Sequence, residues 1–394
     1  MNIALVHPEI QDFINASLDK DVFALSLSKN KFSEVAWHEI INQIKAKQKA
    51  KTKLPSWFSK ENIVYPSPIS IEQSTDEQVA NFKSTLIECT SLIDLSGGFG
   101  VDSYYFSKTT AKVIHCEINA ELSSLVKHNF EVLNTLNIDC YTGDGTEILK
   151  NLNQRFDTIY VDPSRRNDAK GKVFLLNDCE PNVPQNLDFY FQFSSKIFVK
   201  TSPMLDISVG ISELKNVKNI YCIALNNEVK ELLFEIHQNY NDTIALKAIN
   251  IHKHKTAIFE TIIGKTYEAT YAEPEKYLYE PNAAQLKTGA FEAIGCVFQL
   301  NKLHKHTHLY TSKTLQNFDG RTFEITHVLP YHKTQATEYL KNKNLHINSR
   351  NFPLSVAELR KKWNINEGKD EYVFFTTTLN NEKKMIFCKR IANE

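Results

Sequence analysis

The chain has 394 residues, 42% of them hydrophobic and 23% charged, with 46 basic side chains balanced by 46 acidic ones. That length can bury a large core and hold roughly two or three domains, while the balanced charge excludes any bulk electrostatic argument for nucleic acid and leaves only local patches to decide. Seven cysteines with no C-x-x-C pair exclude a disulfide frame or a zinc ribbon, no apolar run reaches about 18 residues, and the opening MNIALVHPEIQDFI lacks the basic and apolar regions of a secretory signal, so a reduced, cytoplasmic setting without a membrane span is expected.

Two amphipathic helical patterns open the chain, Leu5/Ile10/Phe13/Ile14/Ala16 and Val35/Ala36/Ile40/Ile41/Ile44. The second runs into lysine at every other position from Lys45 to Lys53, with Trp57 and Phe58 close behind. The lysines read either as a solvated helix end or as a phosphate-contacting arm, and the aromatics either as RNA-stacking rings or as a docking edge for the next domain. Pro55, Pro66 and Pro68 mark a boundary near 60–70, which gives a helical N-terminal region over 1–69. Residues 70–265 alternate strand-like and helical stretches, the mark of a parallel α/β sheet. A helix is predicted from Ser74 to Glu88, with Val79, Phe82, Leu86 and Ile87 on one face and Thr75 with Gln78 as a capping box. Strands follow at 91–95, 112–116, 138–141, 157–161, 195–200, 219–225 and 256–263, the last two as the reversed pair that closes a doubly wound sheet. Beyond 265, one helix is expected over 283–294. Strands at 322–328 and 371–377, helices at 333–342 and 354–363, and a hairpin pairing 371–377 with 384–391 across Asn380-Asn381 make a small α+β module.

In a parallel α/β sheet, ligands sit above the carboxyl ends of the strands. Four predicted ends carry matching chemistry. The first is Ile93-Asp94-Leu95-Ser96-Gly97-Gly98-Phe99-Gly100, a strand end and a glycine turn leading into a helix at Asp102, where free N–H groups favour anionic or carboxylate groups. The second is Glu117, an acid able to accept hydrogen bonds from both ribose hydroxyls. The third is Asp144, whose carboxylate suits an adenine amino group. The fourth is Asp162-Pro163-Ser164-Arg165-Arg166, after the apolar run Thr158–Val161. Singly, each also reads as a helix start, a cap or a solvated loop; in register and in order they point to one nucleotide-like ligand. A dinucleotide dehydrogenase is disfavoured because the turn lacks G-x-G-x-x-G spacing, and a P-loop because no GK[ST] follows a strand. His306-x-His308 has no carboxylate or cysteine at ligand spacing, so no metal is expected.

These motifs resemble those of class I S-adenosylmethionine-dependent methyltransferases over about 90–265. The resemblance implies S-adenosyl-L-methionine as cofactor, held by Asp94, Ser96, Gly97, Gly98, Gly100, Glu117 and Asp144. Asp162-Pro163 resembles the target loop of amino-methylating enzymes, with Ser164 in place of a second proline and Arg165 in place of an aromatic ring. Uridine C5 chemistry would need a nucleophilic cysteine after the next strand, and Lys200-Thr201-Ser202-Pro203-Met204 has none. The resemblance therefore implies catalytic roles for Asp162, Pro163, Ser164 and Arg165, and substrate contacts from Arg165, Arg166 and Lys200, the last alternatively paired with Asp162 or Asp206. Together with Ile71-Glu72-Gln73-Ser74, Lys200–Asp206 and Tyr279-Glu280-Pro281-Asn282, these runs resemble a family of bacterial methyltransferase-like proteins with a C-terminal THUMP-like domain. That likeness implies an α/β fold with a Rossmann-like, mostly parallel sheet over 70–265, a ferredoxin-like connection over 266–321 and a THUMP-like α+β module over 322–394. It implies transfer to a base nitrogen of structured RNA, rRNA or tRNA. Arg360, Lys361 and Lys362 beside Trp363 add a basic aromatic patch. The alternatives are an RNA-binding protein without transferase activity and a methyltransferase of a small molecule or protein.

Overall fold

The computed structural model describes residues 2–165, 175–253 and 255–391. The chain forms two compact units, Met1–Ile220 with Glu231–Asp242, and Tyr221–Lys230 with Thr243–Glu394.

The first unit opens with helices α1 (Pro8–Asn15), α2 (Val22–Ser26), α3 (Trp37–Lys53), α4 (Pro55–Phe58), α5 (Pro68–Gln73) and α6 (Glu77–Leu86). An α/β run follows: β1 (Ser91–Asp94), α7 (Val101–Phe106), β2 (Lys112–Glu117), α8 (Ala120–Val132), β3 (Ile138–Thr142), α9 (Gly145–Leu152) and β4 (Thr158–Val161). It continues with the short antiparallel pair β5 (Ser164–Arg165) and β6 (Cys179–Glu180), then α10 (Val183–Tyr190), β7 (Lys196–Thr201), α11 (Ile207–Glu213), the start of β8 (Val217–Leu225) and most of β9 (Glu228–His237), whose remaining residues, within Tyr221–Lys230, belong to the second unit. The strands lie in the order β3-β2-β1-β4-β7, all parallel, with β9 antiparallel beside β7. The central strands are the apolar runs: every residue of β4 is buried, whereas the edge strand β3 is only partly covered. The order reverses between β1 and β4, which makes a switch point there, and the carboxyl ends of β1, β2, β3 and β4 lie on the same side of the sheet.

Two local expectations are corrected here. The reversed partner is β9, not 256–263. Asn226 and Asn227 both take positive φ (50° and 67°), and such a two-residue turn between strands makes a tight hairpin of β8 and β9. The alternating Glu231, Leu233 and Glu235 hid a strand because its carboxylates point into a buried setting. Helix α6 starts at Glu77 behind Asp76, so Thr75 and Gln78 form no capping box; the Thr75 hydroxyl donates instead to Asp102.

The N-terminal helices pack on the first turn of α7. Trp57 is fully buried, its ring 4.9 Å from that of Phe99 and 5.5 Å from that of Tyr104. The segment after α4 has no ladder of its own, and buried amides replace one. Asn129 exchanges two hydrogen bonds with the backbone of Val64, and Gln43 two with that of Tyr65. The alternating lysines are largely spent inside this packing: Lys47 is buried and donates to Asn15, while Lys49 and Lys53 bond Glu72.

In the second unit, β10 (Ala245–Ile251) and β11 (Thr256–Ile262) pair antiparallel. They lead to β12 (Tyr277–Glu280), α12 (Ala283–Thr288), α13 (Phe291–Phe298), β13 (Asn301–His304), β14 (Thr307–Ser312), β15 (Arg321–Pro330), α14 (Lys333–Leu340), β16 (His346–Arg350), α15 (Val356–Trp363), β17 (Glu371–Thr377) and β18 (Lys383–Ile391). The single helix expected over 283–294 is two, split at Gly289, whose positive φ of 68° ends α12. The seven-stranded sheet runs β13-β14-β12-β15-β18-β17-β16. Among the described residues no helix is long and apolar enough to cross a membrane.

Because Trp57 carries the contact between α4 and α7, Trp57→Ala is expected to cost about 3–5 kcal/mol in urea unfolding. A loss below 1 kcal/mol would show that the ring is not an anchor.

Candidate functional site

The glycine turn is shaped from behind. A Cβ built at Gly97 would lie 2.0 Å from the His115 ring, so glycine alone fits between β1 and β2. Gly98, at φ +54°, is uncrowded, the nearest heavy atom to a built Cβ being the Ser96 carbonyl oxygen at 3.9 Å. That bare, left-handed backbone is where a ligand can approach closely. The Gly98 amide donates to Glu117 Oε2 (3.0 Å), and the Asn119 amide donates to Oε1 (2.7 Å). Glu117 thus joins the end of β2 to the turn. Directly after it, Ile118 is 71% exposed, an apolar side chain that motif reading overlooked. Asp144 caps α9, accepting from the Glu147 amide at 3.0 Å. Gly100 caps α7.

Asp94 is buried at the end of β1. Its Oδ1 accepts from the Ser96 amide (3.1 Å) and its Oδ2 from the Ser103 hydroxyl (2.7 Å), which lies 3.1 Å from His115 Nδ1. Burial pushes the Asp94 carboxyl up to about 7, and the same cause lowers His115 to about 4.

Behind the turn lies a buried ionic network that spans α6, α7, β4, β7 and β9. Lys83 Nζ sits 2.9 Å from Asp102 Oδ1, 2.9 Å from Glu231 Oε1 and 3.1 Å from the Tyr160 hydroxyl, with no exposed side-chain surface. Tyr160 and Thr75 both donate to Asp102 Oδ2 at 2.9 Å. Burial opposes charge on Asp102, but Lys83 and Lys200 outweigh it and hold its carboxyl below the usual range; burial leaves Glu231 raised. Lys200 Nζ lies 2.5 Å from Asp162 Oδ2, 3.1 Å from Thr75 Oγ1 and 3.7 Å from Asp102 Oδ2. The Asp162 amide donates to Ser96 Oγ at 2.5 Å, tying the fourth strand end to the glycine turn. Pro163 is buried, Ser164 is exposed, and the Arg165 backbone pairs with Cys179. Arg166 lies outside the described residues.

The structure therefore brings Asp94, Ser96, Gly97, Gly98, Gly100, Glu117, Asp144 and Asp162 to one end of the sheet. Sequence reading missed Lys83, Thr75, Asp102, Tyr160 and Glu231. Lys83 carried a signal, since it falls between Val79 and Ile87 on the apolar stripe of its helix.

A solved Porphyromonas gingivalis W83 protein described as a "putative methyltransferase" is similar over 98% of this chain and 98% of its own, at 28% identity with a TM-score of 0.85. A THUMP domain-like family model matches residues 320–390, and a ferredoxin-like domain model matches 277–318. The chain is a class I methyltransferase-fold protein with a C-terminal THUMP-like domain. The strand order of the methyltransferase domain and its reversed β9 agree with that assignment. Shorter similarities run to M. capricolum TrmK in complex with S-adenosyl-homocysteine (16% identity, 41% of this chain, 68% of that one, TM-score 0.33). Another is to SMU.1697c of Streptococcus mutans, also in complex with that product (13%, 41% and 96%, 0.31). No curated protein sequence matches.

Asp94 gives the methyltransferase domain a distinctive pH response. The folded carboxyl holds a proton up to about 7, the unfolded one only to about 4, so this stability is present at low pH and lost as pH rises across that window. Asp94→Asn removes the loss. Its unfolding free energy relative to wild type is expected to rise between pH 4.5 and 7.5 in parallel urea titrations, and a constant difference would refute the assignment.

Proposed function

We propose that the protein is an S-adenosylmethionine-dependent methyltransferase acting on a base nitrogen of structured RNA. The observation that carries the cofactor reading is the open Gly98 backbone flanked by Glu117 and Ile118. Each Glu117 oxygen accepts one backbone amide and keeps a lone pair for a ribose hydroxyl. Ile118 offers an apolar surface for a purine face, Asp144 an acceptor for its amino group, and Asp94 with the turn a place for an ammonium. When bound, S-adenosylmethionine supplies an electrophilic methyl group. The chain's own task is then alignment and charge. Asp162, fixed by Ser96 and Lys200, and the Pro163 carbonyl accept hydrogen bonds from the target nitrogen. Ser164, Arg165 and Arg166 follow them on the loop and contact the substrate. The RNA reading is supported by the THUMP-like match at 320–390 and by the arginines of this loop.

Calorimetry with S-adenosylmethionine is expected to show one-to-one binding that Glu117→Ala weakens by roughly tenfold or more, the loss of hydrogen bonds to a charged acceptor. Absence of binding to the wild type would remove the cofactor reading. Mass spectrometry of rRNA and tRNA nucleosides from a deletion strain is expected to show one methylated base missing and restored by the wild-type gene. A full complement of modified nucleosides would redirect the search to protein or small-molecule acceptors.

A further inference from the structure

The Lys200 ammonium is held mainly by oxygens inside the fold. Its side chain is only 12% exposed, and it meets Asp162 Oδ2 at 2.5 Å, Thr75 Oγ1 at 3.1 Å and Asp102 Oδ2 at 3.7 Å. Asp162 and Thr75 accept hydrogen bonds from it, and Asp102 lies at ion-pair distance on its buried side. The Thr75 hydroxyl donates to Asp102 and faces the ammonium groups of Lys200 and, at 3.5 Å, Lys83. Beyond it, Lys83 is closed off by Asp102, Tyr160 and Glu231. The result is an alternating series, Glu231–Lys83–Asp102–Lys200–Asp162, that starts fully buried and ends on a carboxylate with 37% of its side chain exposed. Only its last member reaches the mouth of the site.

We propose that Lys200 is a positioning residue, acting through Asp162, that fixes the target-facing loop against the cofactor turn rather than binding substrate itself. This rests on the methyltransferase reading for its consequence in transfer, while its structural half stands on the geometry alone. Asp162 is gripped twice, its amide by Ser96 of the glycine turn and its carboxylate by Lys200 of β7. Pro163 follows with a fixed φ, so three constraints in two residues set the direction in which Ser164 leaves. Removing Lys200 frees the carboxylate to rotate into solvent. Asp102 still has Lys83, so the buried part of the series survives. Neighbouring carboxylates favour the charged ammonium against the cost of burial, which keeps the Lys200 proton in place across the physiological range.

The test uses the full chain. Lys200→Met is expected to keep S-adenosyl-homocysteine affinity within about threefold by calorimetry and to raise amide hydrogen exchange of the 162–165 segment roughly tenfold. It is expected to lower methyl transfer to RNA from the deletion strain about 30-fold or more. In an Asp162→Asn background, the same substitution is expected to change transfer no further, because a residue acting through Asp162 has nothing left to position. Unchanged exchange in Lys200→Met, or a full additional loss in the Asp162→Asn background, would overturn the proposal. Should Lys200→Met not fold, Asp162→Asn at the exposed end carries the same exchange test, with raised exchange supporting the pairing and unchanged exchange overturning it. Wild type that transfers no methyl group, with the exchange effect intact, would fail the methyltransferase reading and leave the positioning role standing.

Discussion

The fold of the first unit turns on one buried charge. Lys83 projects from the apolar stripe of α6 into a place with no water, where an isolated ammonium would be expensive by several kcal/mol. It is tolerable only if anions arrive from elsewhere, and they come from distant parts of the sequence. Asp102 comes from the first turn of α7, and Glu231 from a strand that must run antiparallel beside β7 to deliver it. Tyr160, in the middle of β4, supplies a neutral partner between them. A register slip of one residue in β9 would turn Glu231 to the other face and strand the lysine. The reversal of β9 that defines the sheet is thus tied to the same charge that anchors the helix behind the glycine turn.

That coupling explains why the N-terminal helices belong to the same compact unit as the glycine turn and are not an appended arm. Phe99, inside the glycine turn, packs on Trp57 and Tyr65, and Asn129 of α8 holds Val64 in place of a strand. The front of the turn is left bare at Gly98 while its back is closed by His115 at Gly97. One short peptide therefore has a face built by packing and a face built for approach, and the two demands fall on adjacent glycines.

Much of this was legible because it depends on local pattern. Apolar runs in β1, β2 and β4, the glycine turn and an acid at each strand end are short-range signals, and the sheet places them together because parallel strands all end on one side. The Asn380-Asn381 hairpin likewise follows from turn chemistry, with β17 and β18 paired on either side and Asn381 at positive φ. What stayed hidden is what long-range pairing decides. Glu231 and Glu235 look solvent-facing until Lys83, Asn219 and His237 are brought to them. Thr75 resembles a cap until Asp102 claims its hydroxyl. The Asn226-Asn227 turn was the one local clue to β9, and the charged residues after it pointed the other way.

The same logic bears on which cations remain for an anionic partner. Many basic residues that stand out in the sequence are consumed within their own unit. Glu280, buried in β12, takes Arg321 and Arg350 from two other strands, and Arg360 pairs with Glu367. Trp363 is buried with its indole N–H on the Tyr331 hydroxyl, so it serves the core of the THUMP-like module. Lys302 is fully buried against Glu292, and Lys47 against Asn15. A neutral chain that also pairs several of its most conspicuous arginines and lysines internally has little nonspecific attraction for a polyanion. On the proposed reading, RNA is recognised through local contacts and not through bulk charge, and the series from Glu231 to Lys200 ends on Asp162, the residue that fixes where the chain leaves β4.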